Sequence, residues 1–176
     1  MSNITEHKNY CFKYNSDDVS EIVSEYLAES LKFERFSTKT NSFGSGENWS
    51  MIVAVGKDYD SEIFKLDLES INAADEKNTV KSLNEKHRAY FKLSFDDVSE
   101  ILLKCLSKTV GLSDYSYKIK MYGEGYNYRM LIVMGEKSNF DVKTINMDEI
   151  FEIVKYNGTH RDMEGFLERE ENITTF

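Results

Sequence analysis

The sequence predicts an α+β protein made of two tandem β-α-β-β-β-α units, packed as an intramolecular pseudo-dimer of antiparallel sheets with helices on one face. Three observations carry that expectation. The hexapeptide DDVSEI stands at 17–22 and again at 96–101. Residues 11–71 align with 90–150 without a gap, and 17 of the 61 positions are identical. Self-similarity at one fixed offset marks a duplicated structural unit, and two copies are too few for a solenoid. Within each copy, apolar residues recur at helix spacing and then as a continuous strand-like run. The expected boundaries are a tail at 1–9, a first repeat at 10–75, a linker at 76–88, a second repeat at 89–158, and a C-terminal helix and tail at 159–176.

Each unit opens with a short strand, Tyr10–Tyr14 or Tyr90–Leu93, and a helix follows. Asp18 and Asp97 stand three residues before Glu21 and Glu100, the spacing of a capping box. Acidic side chains there also suit the positive end of the helix dipole. Behind the caps, Val19, Ile22, Val23, Tyr26, Leu27 and Leu31 recur at helical spacing. Val98, Ile101, Leu102, Cys105, Leu106 and Val110 repeat the pattern. The cap accounts for Asp17, Asp18 and Glu21 without a catalytic role.

A hairpin comes next, where FGSGENW (43–49) matches YGEGYNY (122–128). Glycine and asparagine tolerate the positive φ that a tight hairpin loop demands. A phosphate-cradling glycine loop would lead into a helix instead. Here MIVAV or MLIVM follows, apolar at every position from Met51 to Val55 and from Met130 to Met134, so each reads as a central strand buried on both faces. Gly56 and Gly135 end these strands. Weaker strands at Glu62–Leu66 and Phe140–Ile145 precede a closing helix, which carries Leu68 and Ile71 in one copy and Met147, Ile150, Phe151 and Val154 in the other. Asn157-Gly158 is a helix stop. The polar stretch 76–88 reads as linker, with room for an extension of the first closing helix, and Met163, Phe166 and Leu167 predict a terminal helix. The order is similar, in topology alone, to the duplicated strand–helix–strands–helix repeat of the TATA-box-binding proteins, none of whose motifs occurs here.

A chain of 176 residues, 40% hydrophobic, buries enough surface to fold without a disulfide or a metal. Cys11 and Cys105 read as small buried hydrophobes in a reducing compartment. The start MSNITEHKN lacks the apolar core of a signal peptide, and no apolar run approaches the roughly 18 residues of a membrane span, so a cytoplasmic protein with no membrane partner is expected. The net charge of −9 opposes direct nucleic-acid binding and suits docking onto a basic surface. His7, His87 and His160 lie outside the repeat cores without metal-ligand spacing, and no nucleophile elbow or phosphate loop occurs. No catalytic residue, metal or cofactor is expected.

The copies differ most around the hairpin. The second gathers Tyr115, Tyr117, Tyr122, Tyr126 and Tyr128 where the first has Phe36, Thr38, Phe43, Glu47 and Trp49. Tyr115 and Tyr117 read as core strand residues. Tyr126 falls at a loop tip and should be exposed. With Lys118, Lys120 and Arg129 nearby, this end reads as a mixed aromatic and basic patch. The candidate partner-binding residues are Tyr122, Glu124, Tyr126, Tyr128 and Arg129, tyrosine being a frequent interface hot spot. The expected function is a non-catalytic acidic protein-binding module. It would be an inhibitor of the immunity or mobile-element anti-defence kind that occupies a basic, often nucleic-acid-binding, surface of a partner protein. The alternatives are a small-molecule sensor with its ligand at the inter-repeat seam, and an enzyme whose catalytic groups meet only in the fold.

Overall fold

The computed structural model describes residues 9–74, 80–85, 87–138, 141–154 and 174–175. Strand β1 (Tyr10–Asn15) leads into helix α1 (Ser16–Ser30), then the hairpin strands β2 (Phe36–Phe43) and β3 (Ser50–Lys57), a 3-10 helix (Ser61–Lys65) and helix α2 (Leu68–Ala74). Strand β4 (Val80–Glu85) comes next. A similar order then returns as β5 (Arg88–Ser94), α3 (Phe95–Val110), β6 (Tyr115–Glu124), β7 (Asn127–Glu136), α4 (Asp141–Thr144) and α5 (Met147–Ile153), with a short β8 (Thr174–Thr175). The fold is α+β, with two antiparallel sheets ordered β6-β7-β1-β8 and β2-β3-β5-β4.

Strand pairing crosses between the similar segments. β1 pairs with β7, from Tyr10↔Met134 to Asn15↔Arg129, and β5 pairs with β3, from Gly56↔Arg88 to Ser50↔Ser94. The opening strand of each segment therefore lies in the sheet built on the other segment's hairpin. By contacts the chain divides into two compact units. One holds β1, β8, α4, α5, most of the β6–β7 hairpin and the second half of α3; the other holds β2 to β5, α2, most of α1, the first half of α3 and the hairpin tip Gly123–Asn127. The division falls inside α1 and α3, not in the stretch 76–88.

Both long helices start one turn earlier than expected. The N-cap of α1 is Asn15, whose Oδ1 accepts from the Asp18 N–H at 2.9 Å, while Asp18 Oδ2 accepts from the Asn15 N–H at 3.1 Å. In α3, Ser94 Oγ accepts from the Asp97 N–H at 3.1 Å and Asp97 Oδ2 accepts from the Ser94 N–H at 2.8 Å. Asp18 and Asp97 are thus the third helical residues of their boxes, not the caps. The shift has a physical reason: Asn15 and Ser94 end strands and already carry the short polar side chain a cap needs. The expected apolar stripe is otherwise in place, with Val19, Ile22, Val23, Leu27, Val98, Ile101, Leu102 and Leu106 buried.

The continuous apolar runs are central strands, every residue from Met51 to Val55 and from Met130 to Met134 being buried. Ile52 and Ala54 pack with Ile63 and Leu68 in one unit. Cys11, Leu131 and Val133 pack with Val142, Met147 and Val154 in the other.

The weak strand expected at Glu62–Leu66 is instead the 3-10 helix. Asp60 caps it by accepting from the Glu62 N–H, and the Ile63 and Leu66 amides bond three residues back, to Asp60 and Ile63. Gly56 permits this segment's close approach, since a Cβ there would stand 2.9 Å from Ile63 Cγ1. The matching strand expected at Phe140–Ile145 is the single turn α4, with Phe140 outside the described residues. The linker stretch contains β4, which pairs antiparallel with β5 through Val80↔Phe91 and Lys81↔Tyr90. With only Val80 and Leu83 apolar, it lacks the alternation that announces a strand. The helix stop at Asn157-Gly158 and the terminal helix around Met163, Phe166 and Leu167 lie outside the described residues.

Candidate functional site

The β6–β7 hairpin closes in the two-residue turn Gly125-Tyr126. Gly125 takes φ +56, and glycine in the first turn position is a standard choice for a two-residue hairpin loop. The tip is held by backbone and ring contacts. The Gly125 N–H donates to Gly44 O at 2.8 Å, and Gly125 O accepts from Trp49 Nε1 at 3.2 Å. Gly44 itself has φ +78, and a Cβ there would lie 2.6 Å from Asn48 O, so glycine alone fits. The buried Trp49 ring stands edge-on to Phe95 with centroids 6.4 Å apart.

The loop that grips the tip differs from its sequence match. Between β2 and β3 the chain makes a short 3-10 helix, Gly46–Asn48, closed by the Asn48 N–H on Ser45 O and the Trp49 N–H on Gly46 O. It is a clamp rather than a second tight turn. The matched glycines mark both loops, but nothing local shows that one will hold the other.

Tyr126 is 76% exposed at this pinned apex. Glu124 is exposed beside it, Glu47 is exposed on the gripping loop, and Asp96, the residue after Phe95, is exposed as well. The arrangement presents one aromatic ring on a fixed backbone with carboxylates on the neighbouring segments.

The other candidates separate. Tyr128 is 2% exposed and belongs to the core, which corrects its reading as a contact residue; it alternates with exposed Arg129 on a strand whose Tyr128 and Met130 side is covered. Tyr122 is half-buried, stacked on Phe151 at 4.1 Å, and its hydroxyl donates to Asp148 Oδ1 at 2.7 Å. Burial, then the Asp148 carboxylate, pushes its phenol well above the usual range, so it stays a protonated donor. Lys120 Nζ donates to the same Asp148 oxygen at 2.7 Å, and these two bonds hold Asp148 below the ordinary carboxylate range. Lys118 Nζ donates to Ile145 O at 2.9 Å. Both lysines fasten β6 to the α4–α5 segment, so of the expected basic patch Lys118 and Lys120 serve as internal ties and Arg129 stays exposed. Tyr117 is 52% exposed and Tyr115 half-buried, which corrects their reading as core: among the described residues β6 is the outermost strand of its sheet.

Lys13, Cys11 and the Arg88–Asp60 pair are quenched or paired. Lys13, 7% exposed, donates to Phe151 O at 2.6 Å with its Nζ 3.7 Å from the Phe151 ring centroid, and burial lowers its pKa. Burial pushes the Cys11 thiol up to about 12, away from thiolate chemistry. Arg88 grips Asp60 through Nε and through Nη2 at 2.9 Å, which holds that carboxyl below its ordinary value. Among the described residues no three His, Cys, Asp or Glu side chains group as a metal site, and no helix is long and apolar enough to cross a membrane. No protein-family model, curated protein or solved structure matches the chain.

Proposed function

We propose that this chain is a non-catalytic acidic binding module of the inhibitor kind, immunity or mobile-element anti-defence, whose clamped hairpin tip enters a basic surface of a partner protein. The observation that carries the reading is Tyr126, 76% exposed on a turn whose backbone is tied on both sides of its peptide to Gly44 and Trp49. An aromatic anchor on a backbone ordered before binding loses little freedom in the complex. Glu47, Glu124 and Asp96, with the net charge of −9, favour fast approach to a cationic partner.

The scaffold behind the tip is a tandem duplication whose copies exchange their opening strands. Bonds recur at the same offset of 79 as the sequence match. Lys39 Nζ donates to Leu66 O at 2.6 Å as Lys118 does to Ile145 O, and Ser37 Oγ donates to Asp58 O at 2.8 Å as Ser116 does to Lys137 O at 3.0 Å. Against that shared framework the tips diverge, with Ser45 and Glu47 in one copy and Glu124 and Tyr126 in the other. A fixed frame with a changed tip is how a scaffold carries function.

The test is capture of the partner from the native cell with the immobilised chain, followed by affinity measurement with variants. Losing an aromatic hot spot costs ~2 kcal/mol, so Tyr126→Ala should bind ~30-fold more weakly with an unchanged melting temperature. Glu47→Ala should change the on-rate and its salt dependence far more than the off-rate. Equal, negligible effects of both substitutions on affinity would remove this tip from the interface.

A further inference from the structure

Two adjoining hollows lie at the open end of the β2-β3 hairpin and share Lys57 and Asp58. The first, about 420 Å³, is lined by that pair with Lys32, Glu34 and Arg35. The second adds Tyr59, which is 82% exposed and leans on Phe64 with ring centroids 6.3 Å apart. Lys32, Arg35 and Lys57 are exposed, and among the described residues none of their side chains has an ion pair or hydrogen bond. Three unused cations thus share one hollow on a chain of net charge −9. The backbone there is strained as well. Among the described residues only Lys32, φ +58, and Asp58, φ +57, take positive φ without being glycine, and both line the first hollow. Strain of this kind gathers at ligand sites, where the side chain is worth its cost.

The matching place in the second segment keeps the shape and loses the cations. A hollow of about 560 Å³ remains, but Gly111 stands for Lys32, Asp114 for Arg35 and Glu136 for Lys57. Lys137, at the place of Asp58, is paired with Asp114 at 3.3 Å. We propose that the first segment binds a nucleotide, its phosphate on Lys32, Arg35 and Lys57 and its base against Tyr59. An arginine fork and two ammonium groups supply the charge-assisted bonds that phosphate oxygens accept. Glu34 and Asp58 can only accept, which suits the hydroxyl donors of a ribose between phosphate and base. Tyr59 offers the flat face on which any base stacks. Each hollow is of small-molecule size, and the site uses no residue of the Tyr126 tip.

Titration calorimetry of the full chain with adenosine 5′-monophosphate tests this, with a Kd of about 100 µM or below expected at low salt. Inorganic phosphate alone should bind at least about tenfold more weakly, lacking the stacked base. Lys32→Gly installs the residue of the second segment; it should weaken nucleotide binding about tenfold yet raise the melting temperature, a pairing that a structural role for Lys32 would not give. Arg35→Gln should weaken nucleotide and phosphate alike by about tenfold. Tyr59→Ser, the residue at the matching position 138, should weaken the nucleotide and leave phosphate unchanged. Lys137→Gln, in the second segment's hollow, should change neither. No binding of the nucleotide at about 1 mM, phosphate binding as tight as the nucleotide, a Lys32→Gly variant that binds like the wild type, or an equal loss in Lys137→Gln would each overturn the proposal.

Discussion

Asp18 and Asp97 carry different burdens although they repeat the same box. Asp18 is buried and Asp97 is half-exposed. Removing Asp97 leaves the Ser94 amide to solvent, so Asp97→Ala should cost about 1 kcal/mol. Removing Asp18 takes away the bond to the Asn15 amide and empties a buried position, so Asp18→Ala should cost about 1–3 kcal/mol. Urea unfolding of the two variants measures the difference; equal losses would show that burial does not add to the cap. The helix starts were legible in the sequence only as a region. Both DxxE and the preceding NxxD or SxxD fit the box spacing, and what decides between them is where the preceding strand stops, which is set by its partner strand.

At the scale of elements, the ends of α1 and α3 show the same motif made with different residues. In α1 the Lys32 and Phe33 amides bond to Glu29 O and Ala28 O, and in α3 the Gly111 and Leu112 amides bond to Lys108 O and Ser107 O. The left-handed position is Lys32, φ +58, in one and Gly111, φ +73, in the other. Glycine pays no Cβ penalty there. Lys32→Gly should therefore stabilise the fold by about 0.5–1 kcal/mol, and Gly111→Ala, whose Cβ would meet nothing within 4 Å, should destabilise it by about 1 kcal/mol through the backbone alone. Thermal melts of both variants check the signs. Periodicity made the long elements legible: the two apolar strands stand where their spacing predicts, and the two helices cover their predicted stretches with starts one turn earlier. Five residues at Ser61–Lys65 hold too few apolar positions to tell a 3-10 helix from a strand. Tyr126's exposure was legible from a glycine-flanked loop, whereas Tyr128's burial was not, because one residue along a strand reverses the face.

The whole molecule carries an acid-sensitive set of carboxylates. Asp60, Asp67 and Asp148 are all held below their ordinary value of 3.8, by Arg88, by Ser70, and by Lys120 with Tyr122 respectively. A carboxyl whose folded pKa is depressed contributes stability that is complete above its unfolded value and disappears as pH falls through the folded one. Stability measured by urea midpoint should hold from pH 7 down to about 5, then drop below about pH 4. Asp60→Asn, which keeps the shape and loses the charge, should lower the neutral-pH midpoint and flatten part of the acid slope. An unchanged slope would show that the Arg88 pairing does not govern acid unfolding. What no local pattern disclosed is that β1 pairs with β7 and β5 with β3. Alternating apolar residues specify which face of a strand is buried, and β3 and β7 offer equally apolar neighbours to either opening strand.

That pairing also orders events during synthesis. The β2-β3-β5 ladder is complete once Ser94 has left the ribosome, whereas β1, made first, meets its partner only after Glu136. At the usual pace of translation the earliest strand waits on the order of 10 s with Phe12 and Tyr14 unsatisfied, while the nascent β3 presents a closely related edge. Capture of β1 by β3 would be the natural misstep of this chain, and β5 must outcompete it as it emerges.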